Sequence, residues 1–133
     1  MNYYLDTNIC VFFLRGKNPN LLPALLSHDP KTIKIPAVVA AELFYGAFKS
    51  ASPERNMRQV RSFLSAFEII PFEAVDAVMY GEIRADLERY GSSIGPNDLL
   101  IAASALSRNG ILVTNNTREF SRVEKLMLED WTL

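Results

Sequence analysis

An α/β sandwich, with helices on both faces of a parallel four- or five-stranded sheet, is expected from three features of this 133-residue chain. Short β-prone runs at 2–5, 32–35, 68–72 and 111–114 alternate with longer stretches of helical periodicity. No two runs are joined by a hairpin signal, and strands separated by helices pair in parallel. No linker, repeat or low-complexity segment breaks the alternation, so residues 1–133 read as a single domain.

The elements follow in order. Asn2–Leu5 is the first strand, and Asp6, Thr7 and Asn8 behind it are all good helix caps. Ile9–Leu14 is a short helix stopped at Gly16. Leu21–Leu26 is the next helix, and Thr32–Ile35 is the second strand, ended by Pro36. Ala37–Lys49 is a strong helix; another starts at Ser52-Pro53, with Pro at its first position, and runs to about Phe67. Glu68–Phe72 is the third strand. Val75, Val78, Met79, Ile83 and Leu87 recur at helical spacing in a segment that stops at Gly91. Asp98–Ser107 is a helix ended by Asn109-Gly110, Ile111–Thr114 is the fourth strand, and Trp131–Leu133 is the candidate fifth.

Bulk properties exclude several classes. Hydrophobic residues are 49% and charged residues 22%, ordinary for a soluble globular protein. With 14 Lys plus Arg against 15 Asp plus Glu the net charge is −1, so any contact with nucleic acid must rest on local patches. No apolar run approaches the ~18 residues of a membrane span, and the N-terminus lacks the pattern of a signal peptide. The single cysteine, Cys10, excludes an internal disulfide and suits a reducing cytoplasm.

Four carboxylates stand out. Asp6 closes the first strand run, Glu42 interrupts the apolar stretch from Val38 to Tyr45, Asp98 opens Leu99-Leu100-Ile101-Ala102-Ala103, and Glu119 precedes Phe120. Each has an ordinary reading when taken singly. Asp6 could cap a helix, Asp98 could favour a helix N-terminus, and Glu119 could be a solvated loop acid. Glu42 is harder to explain this way, because Val38, Val39, Tyr45 and Gly46 surround it at helical spacing. A buried carboxylate needs a partner, a proton or a cation. In a doubly wound sheet Asp6 and Thr114 both fall at the carboxyl ends of strands, where ligands bind. Carboxylates drawn from separate elements, with no His/Cys cluster, specify a hard cation such as Mg²⁺ or Mn²⁺ rather than zinc.

Four segments occur in order: Leu5-Asp6-Thr7-Asn8, the run from Pro36 to Gly46 that contains Glu42, Asn97-Asp98-Leu99-Leu100-Ile101-Ala102-Ala103, and Leu112 to Phe120. Together they resemble a PIN-domain ribonuclease, and most closely the VapC toxins of bacterial type II toxin–antitoxin modules. The resemblance spans essentially the whole chain. It implies a PIN-like α/β/α sandwich and a Mg²⁺- or Mn²⁺-dependent endoribonuclease cutting structured RNA, commonly tRNA in the anticodon stem-loop. It also implies Asp6, Glu42 and Asp98 as metal-binding catalytic acids, with Thr7, Asn8 and Thr114 orienting them. Many PIN domains carry Asp two residues after the strand-end Thr. That place is Asn116 here, and Glu119, before Phe120, is the next candidate for the fourth acid. The resemblance further implies a homodimer and a VapB-type antitoxin whose C-terminal segment covers the acidic pocket.

Other residues carry weaker signals. Arg118 and Arg122 lie near the rim of the expected pocket and Arg15 beyond the first helix, where they could meet RNA phosphates; Arg55, Arg58 and Arg61 recur on one helix and read more readily as a solvated face. Phe44, Tyr45, Phe48, Phe63, Leu64 and Phe67 give the two middle helices apolar surface for a core or a partner. Cys10 reads as a core residue and His28 as a surface one. A receiver or an Asp-x-Asp phosphatase is disfavoured, since position 8 is Asn and the third strand ends without Asp. A housekeeping nuclease and a non-catalytic metal-binding module remain as alternatives.

Overall fold

The computed structural model describes residues 1–133. Five strands, β1 (Tyr3–Leu5), β2 (Ile33–Pro36), β3 (Glu68–Ile70), β4 (Ile111–Val113) and β5 (Met127–Glu129), form one sheet in the order β3-β2-β1-β4-β5. Every neighbouring pair is parallel. The helices are α1 (Thr7–Arg15), α2 (Leu21–Leu26), α3 (Ala37–Phe48), α4 (Pro53–Leu64), α5 (Ala74–Arg89), α6 (Pro96–Leu106) and the short α7 (Thr117–Phe120). α1, α3 and α4 pack on one another and α5 packs along α6, giving the expected three-layer α/β/α sandwich. No helix is long and apolar enough to cross a membrane.

The central strands are covered on both sides, which is why they read as apolar runs. Leu5, Ile35, Leu112 and Val113 are completely buried within a connected core of 29 hydrophobic residues. Register positions the strand ends: Leu5 pairs with Val113, and the backbone N–H of Asp6 donates to the carbonyl of Val113 at 3.0 Å. Asp6 and Thr114 therefore leave the sheet side by side. From β1 the strand order grows one way through β2 and the other through β4, which makes this junction the switch point of the sheet.

Several boundaries differ from expectation. The fifth strand is Met127–Glu129 rather than Trp131–Leu133. Trp131 is buried and donates through Nε1 to Glu129 at 2.8 Å, while the N–H of Thr132 donates to Oδ1 of Asp130 at 2.9 Å, turning the chain out of the sheet. α1 begins at Thr7 because Asp6 caps it, and α6 begins at Pro96, whose fixed φ suits a first helical turn. Glu119 lies in α7 rather than in a loop. His28 is half-buried: its ring stacks on Trp131 with centroids 4.4 Å apart and meets the ring of Tyr3 at 4.5 Å.

Away from the switch point, Asp76 is fully buried, and it accepts from Arg108, from Ser107 and from the N–H of Glu73. Cys10 is a core residue, as expected; burial pushes its thiol far above the ordinary range.

Candidate active site

Asp6 is 4% exposed at the carboxyl end of β1. Its Oδ1 accepts from the N–H of Thr7 at 2.7 Å, so the capping role holds. Its Oδ2 accepts from the hydroxyl of Thr114 at 2.7 Å. The hydroxyl of Thr114 in turn accepts from the N–H of Asn116 at 2.9 Å. The strand-end threonine thus links Asp6 to the segment that carries Glu119.

Glu42 projects from α3 half-buried, and its Oε1 accepts from the hydroxyl of Thr7 at 2.7 Å. Thr7 therefore joins two acids, one through its backbone and one through its side chain. Asn8 is exposed, and its side chain bonds to none of the four acids. Asp98, the third residue of α6, is half-buried, and the carboxyl of Glu119 is near enough to act on its ionisation. Glu119 is held from two directions: Oε1 accepts from the N–H of Gly95 at 3.3 Å and Oε2 from Nδ2 of Asn116. Gly95, as a backbone donor, is the contributor that residue type alone does not reveal.

The electrostatics bind the four acids into one group. Asp98 is pushed up to about 7, first by burial, then by the charges of Glu119 and Asp6, by its contact with Glu119, and by Glu42. Burial also raises Asp6; the donors Thr114 and Thr7 work against this, and the charges of Glu42 and Glu119 add to it. None of the five ion pairs in the protein includes any of these acids. Four carboxylates from α1's cap, α3, α6 and α7 thus share a region without a single Lys or Arg partner.

The donor set is all oxygen, which fits Mg²⁺ or Mn²⁺ and not zinc. No three of these side chains, as they stand, form a group that could hold an ion directly. Their oxygens instead turn to Thr7, Thr114, Asn116 and Gly95. The raised Asp6 and Asp98 nevertheless mark an excess of negative charge that these neutral donors do not offset. By its chemistry the group suits a divalent cation.

Of the basic residues expected nearby, Arg15 ends α1 and lines a cleft together with Glu42. Arg118 is exposed one position before Glu119. Arg122 donates to the carbonyl of Ser93 at 3.2 Å.

The profile of the PIN domain matches residues 3–126. The chain is 47% identical to a protein of Rickettsia felis described as ribonuclease VapC2, covering 98% of each. It is 42% identical to one of Shigella flexneri described as a tRNA(fMet)-specific endonuclease VapC, covering 99% of each. Among solved structures it superposes on a chain of the DNA-bound VapBC of Salmonella typhimurium with a TM-score of 0.94 at 38% identity, covering 98% of each chain.

Proposed function

Because the chain belongs to the PIN-domain family, and within it to the VapC-type toxins of toxin–antitoxin modules, we propose that it is a Mg²⁺- or Mn²⁺-dependent endoribonuclease that hydrolyses tRNA in the anticodon stem-loop. The observation that carries this reading is the set of four mutually repelling acids at the sheet's switch point, none with a basic partner. The Shigella relative, described as tRNA(fMet)-specific, supports the choice of RNA.

On this reading Asp6, Glu42 and Asp98 hold the ion and Glu119 completes the acidic set. A bound divalent ion supplies an activated water and charge stabilisation at the departing oxygen. The chain's own residues do the positioning. Thr114 and the Thr7 N–H fix both oxygens of Asp6, the Thr7 hydroxyl aims Glu42, and Asn116 with Gly95 directs Glu119 toward Asp98. Asn8, beside them on the first turn of α1, belongs to the same sequence motif and is exposed. Arg15, Arg118 and Arg122 meet RNA phosphates.

The protein acts in the cytoplasm as a homodimer restrained by a VapB-type antitoxin, whose C-terminal segment covers the acidic pocket with a basic side chain. Support comes from the VapBC complexes of its relatives and from Tyr45 and Phe48, 64% and 66% exposed on α3. Purified protein should cleave RNA only with Mg²⁺ or Mn²⁺, and Asp6→Ala and Asp98→Ala should each abolish cleavage with the fold retained. Cleavage that persists in both variants excludes this site. Growth arrest on expression, relieved by co-expressing the neighbouring small open reading frame, separates a toxin from a housekeeping nuclease. A folded protein that binds Mn²⁺ without cleaving any RNA favours a non-catalytic module.

A further inference from the structure

We propose that a cleft between α1, α3 and α4 is the track for the substrate's phosphate backbone, with Arg15, Arg55 and Arg58 as its phosphate contacts; this rests on the ribonuclease reading above. Two cavities, of about 270 and 430 Å³, share Leu14 and Gln59 in their walls and so lie side by side along this face. Glu42 and Arg15 line the first cavity, and Arg55 and Arg58 the second. The cleft therefore starts at an acid of the candidate site and runs out to a pair of guanidinium groups one helical turn apart on α4.

Charge complementarity selects the occupant. Most of the other cations are already engaged: Lys34 with Glu68, Arg84 with Glu88, Arg89 with Asp86, Arg108 with Asp76. Arg61 lies over the ring of Phe44, and Lys49 over that of Tyr45. Arg15, Arg55 and Arg58 are exposed and enter neither an ion pair nor a side-chain hydrogen bond. In a chain of net charge −1 that gathers four acids at the reaction site, a polyanion is held only where free cations lead up to that site. The exposed aromatics Tyr45 and Phe48 do not line this cleft. At about 100° per residue Phe48 projects from α3 away from Gly46 and Ala47, which do. A protein partner gripping Tyr45 and Phe48 would thus leave Arg55 and Arg58 uncovered.

The test compares the full chain with its Arg55→Ala/Arg58→Ala variant, using tRNA and Mg²⁺ over a range of salt. KM should rise on the order of tenfold with kcat unchanged, since two exposed charge-assisted contacts are lost. The slope of log KM against log salt should fall by about 1.4 to 1.8, the share of two phosphate contacts. The melting temperature should not move, and Arg55→Lys/Arg58→Lys should restore most of the salt slope. Unchanged KM and slope, in a wild-type protein that cleaves, overturn the track while leaving the ribonuclease reading intact. A variant that loses antitoxin binding but keeps its KM assigns the cleft to a protein and also overturns it. A wild-type protein that cleaves no RNA removes the reading on which the track rests.

Discussion

The hydroxyl of Thr114 donates to Oδ2 of Asp6 across 2.7 Å, joining two buried residues 108 positions apart in the chain. The bond exists because β1 and β4 are neighbours and end together. With Oδ1 of Asp6 held by the Thr7 N–H, both oxygens of this carboxylate are aimed without any ion.

Thr114→Val preserves shape but leaves a buried carboxylate oxygen without its donor. The expected cost is about 1–3 kcal/mol in urea denaturation, with a fall in cleavage rate. Thr114→Ser, which retains the hydroxyl, should recover most of both.

Asp98 carries a pKa pushed up to about 7, so between its unfolded value of 3.8 and neutrality the folded state binds the extra proton. By linkage, stability of the metal-free protein falls as pH rises through that window. Thermal melts from pH 4 to 7.5 should show this decline, and Asp98→Asn should flatten it and raise the melting temperature at pH 7.5. The same variant should lose more than about 100-fold in cleavage. A wild-type profile as flat as the variant's would show that burial and the neighbouring acids do not raise Asp98.

Saturating Mg²⁺ should raise the wild-type melting temperature at pH 7.5, because an ion that binds only the folded state stabilises it by mass action. Asp6→Asn and Asp98→Asn should each reduce that increment. An equal increment in all three proteins would place the ion elsewhere.

Arg108 compensates the fully buried Asp76. Burial alone would raise this carboxyl; hydrogen bonds from Arg108, the Glu73 N–H and Ser107, with the Arg108 charge, outweigh it and hold the group below its ordinary value. Its stabilising contribution is therefore complete above the unfolded pKa of 3.8 and disappears as pH falls through the lower folded value. Arg108→Met should cost about 3–5 kcal/mol at pH 7 by stranding a buried charge. Mn²⁺ affinity measured by calorimetry should not change.

Gly110 lies against Tyr4 just before β4. A Cβ placed there would come within 2.1 Å of Cε2 of Tyr4 and 3.2 Å of the Asn2 carbonyl. Gly110→Ala should destabilise the fold by about 1–3 kcal/mol, measured by chemical denaturation, through overpacking at the β1–β4 pair.

Much of this was legible in the chain because its causes are local. Helical periodicity, the Pro and Gly stops and four apolar runs gave the alternation, and Asp6 and Asp98 sit at helix starts marked by neighbouring residues. Glu42 was conspicuous because every neighbour on its turn is apolar or glycine. The fifth strand differs from the expected Trp131–Leu133 because Met127–Glu129 is a three-residue edge strand, exposed or half-buried along its length, and too short to show a strand's alternation. Trp131 carries the stronger β signal but is buried in a turn.

Composition and local patterning were thus enough for the α/β alternation, the oxygen-only character of the acidic set and the family resemblance. They could not say that Thr7 would meet Glu42, Thr114 would meet Asp6, or Gly95 would reach Glu119, since these partners lie 35, 108 and 24 residues apart. Such contacts depend on strand order and register, and those are settled only when the whole sheet and its helices pack at once. The concentration of unpaired charge at the switch point, with its mutual repulsion, belongs to that packing and to no one segment of the sequence.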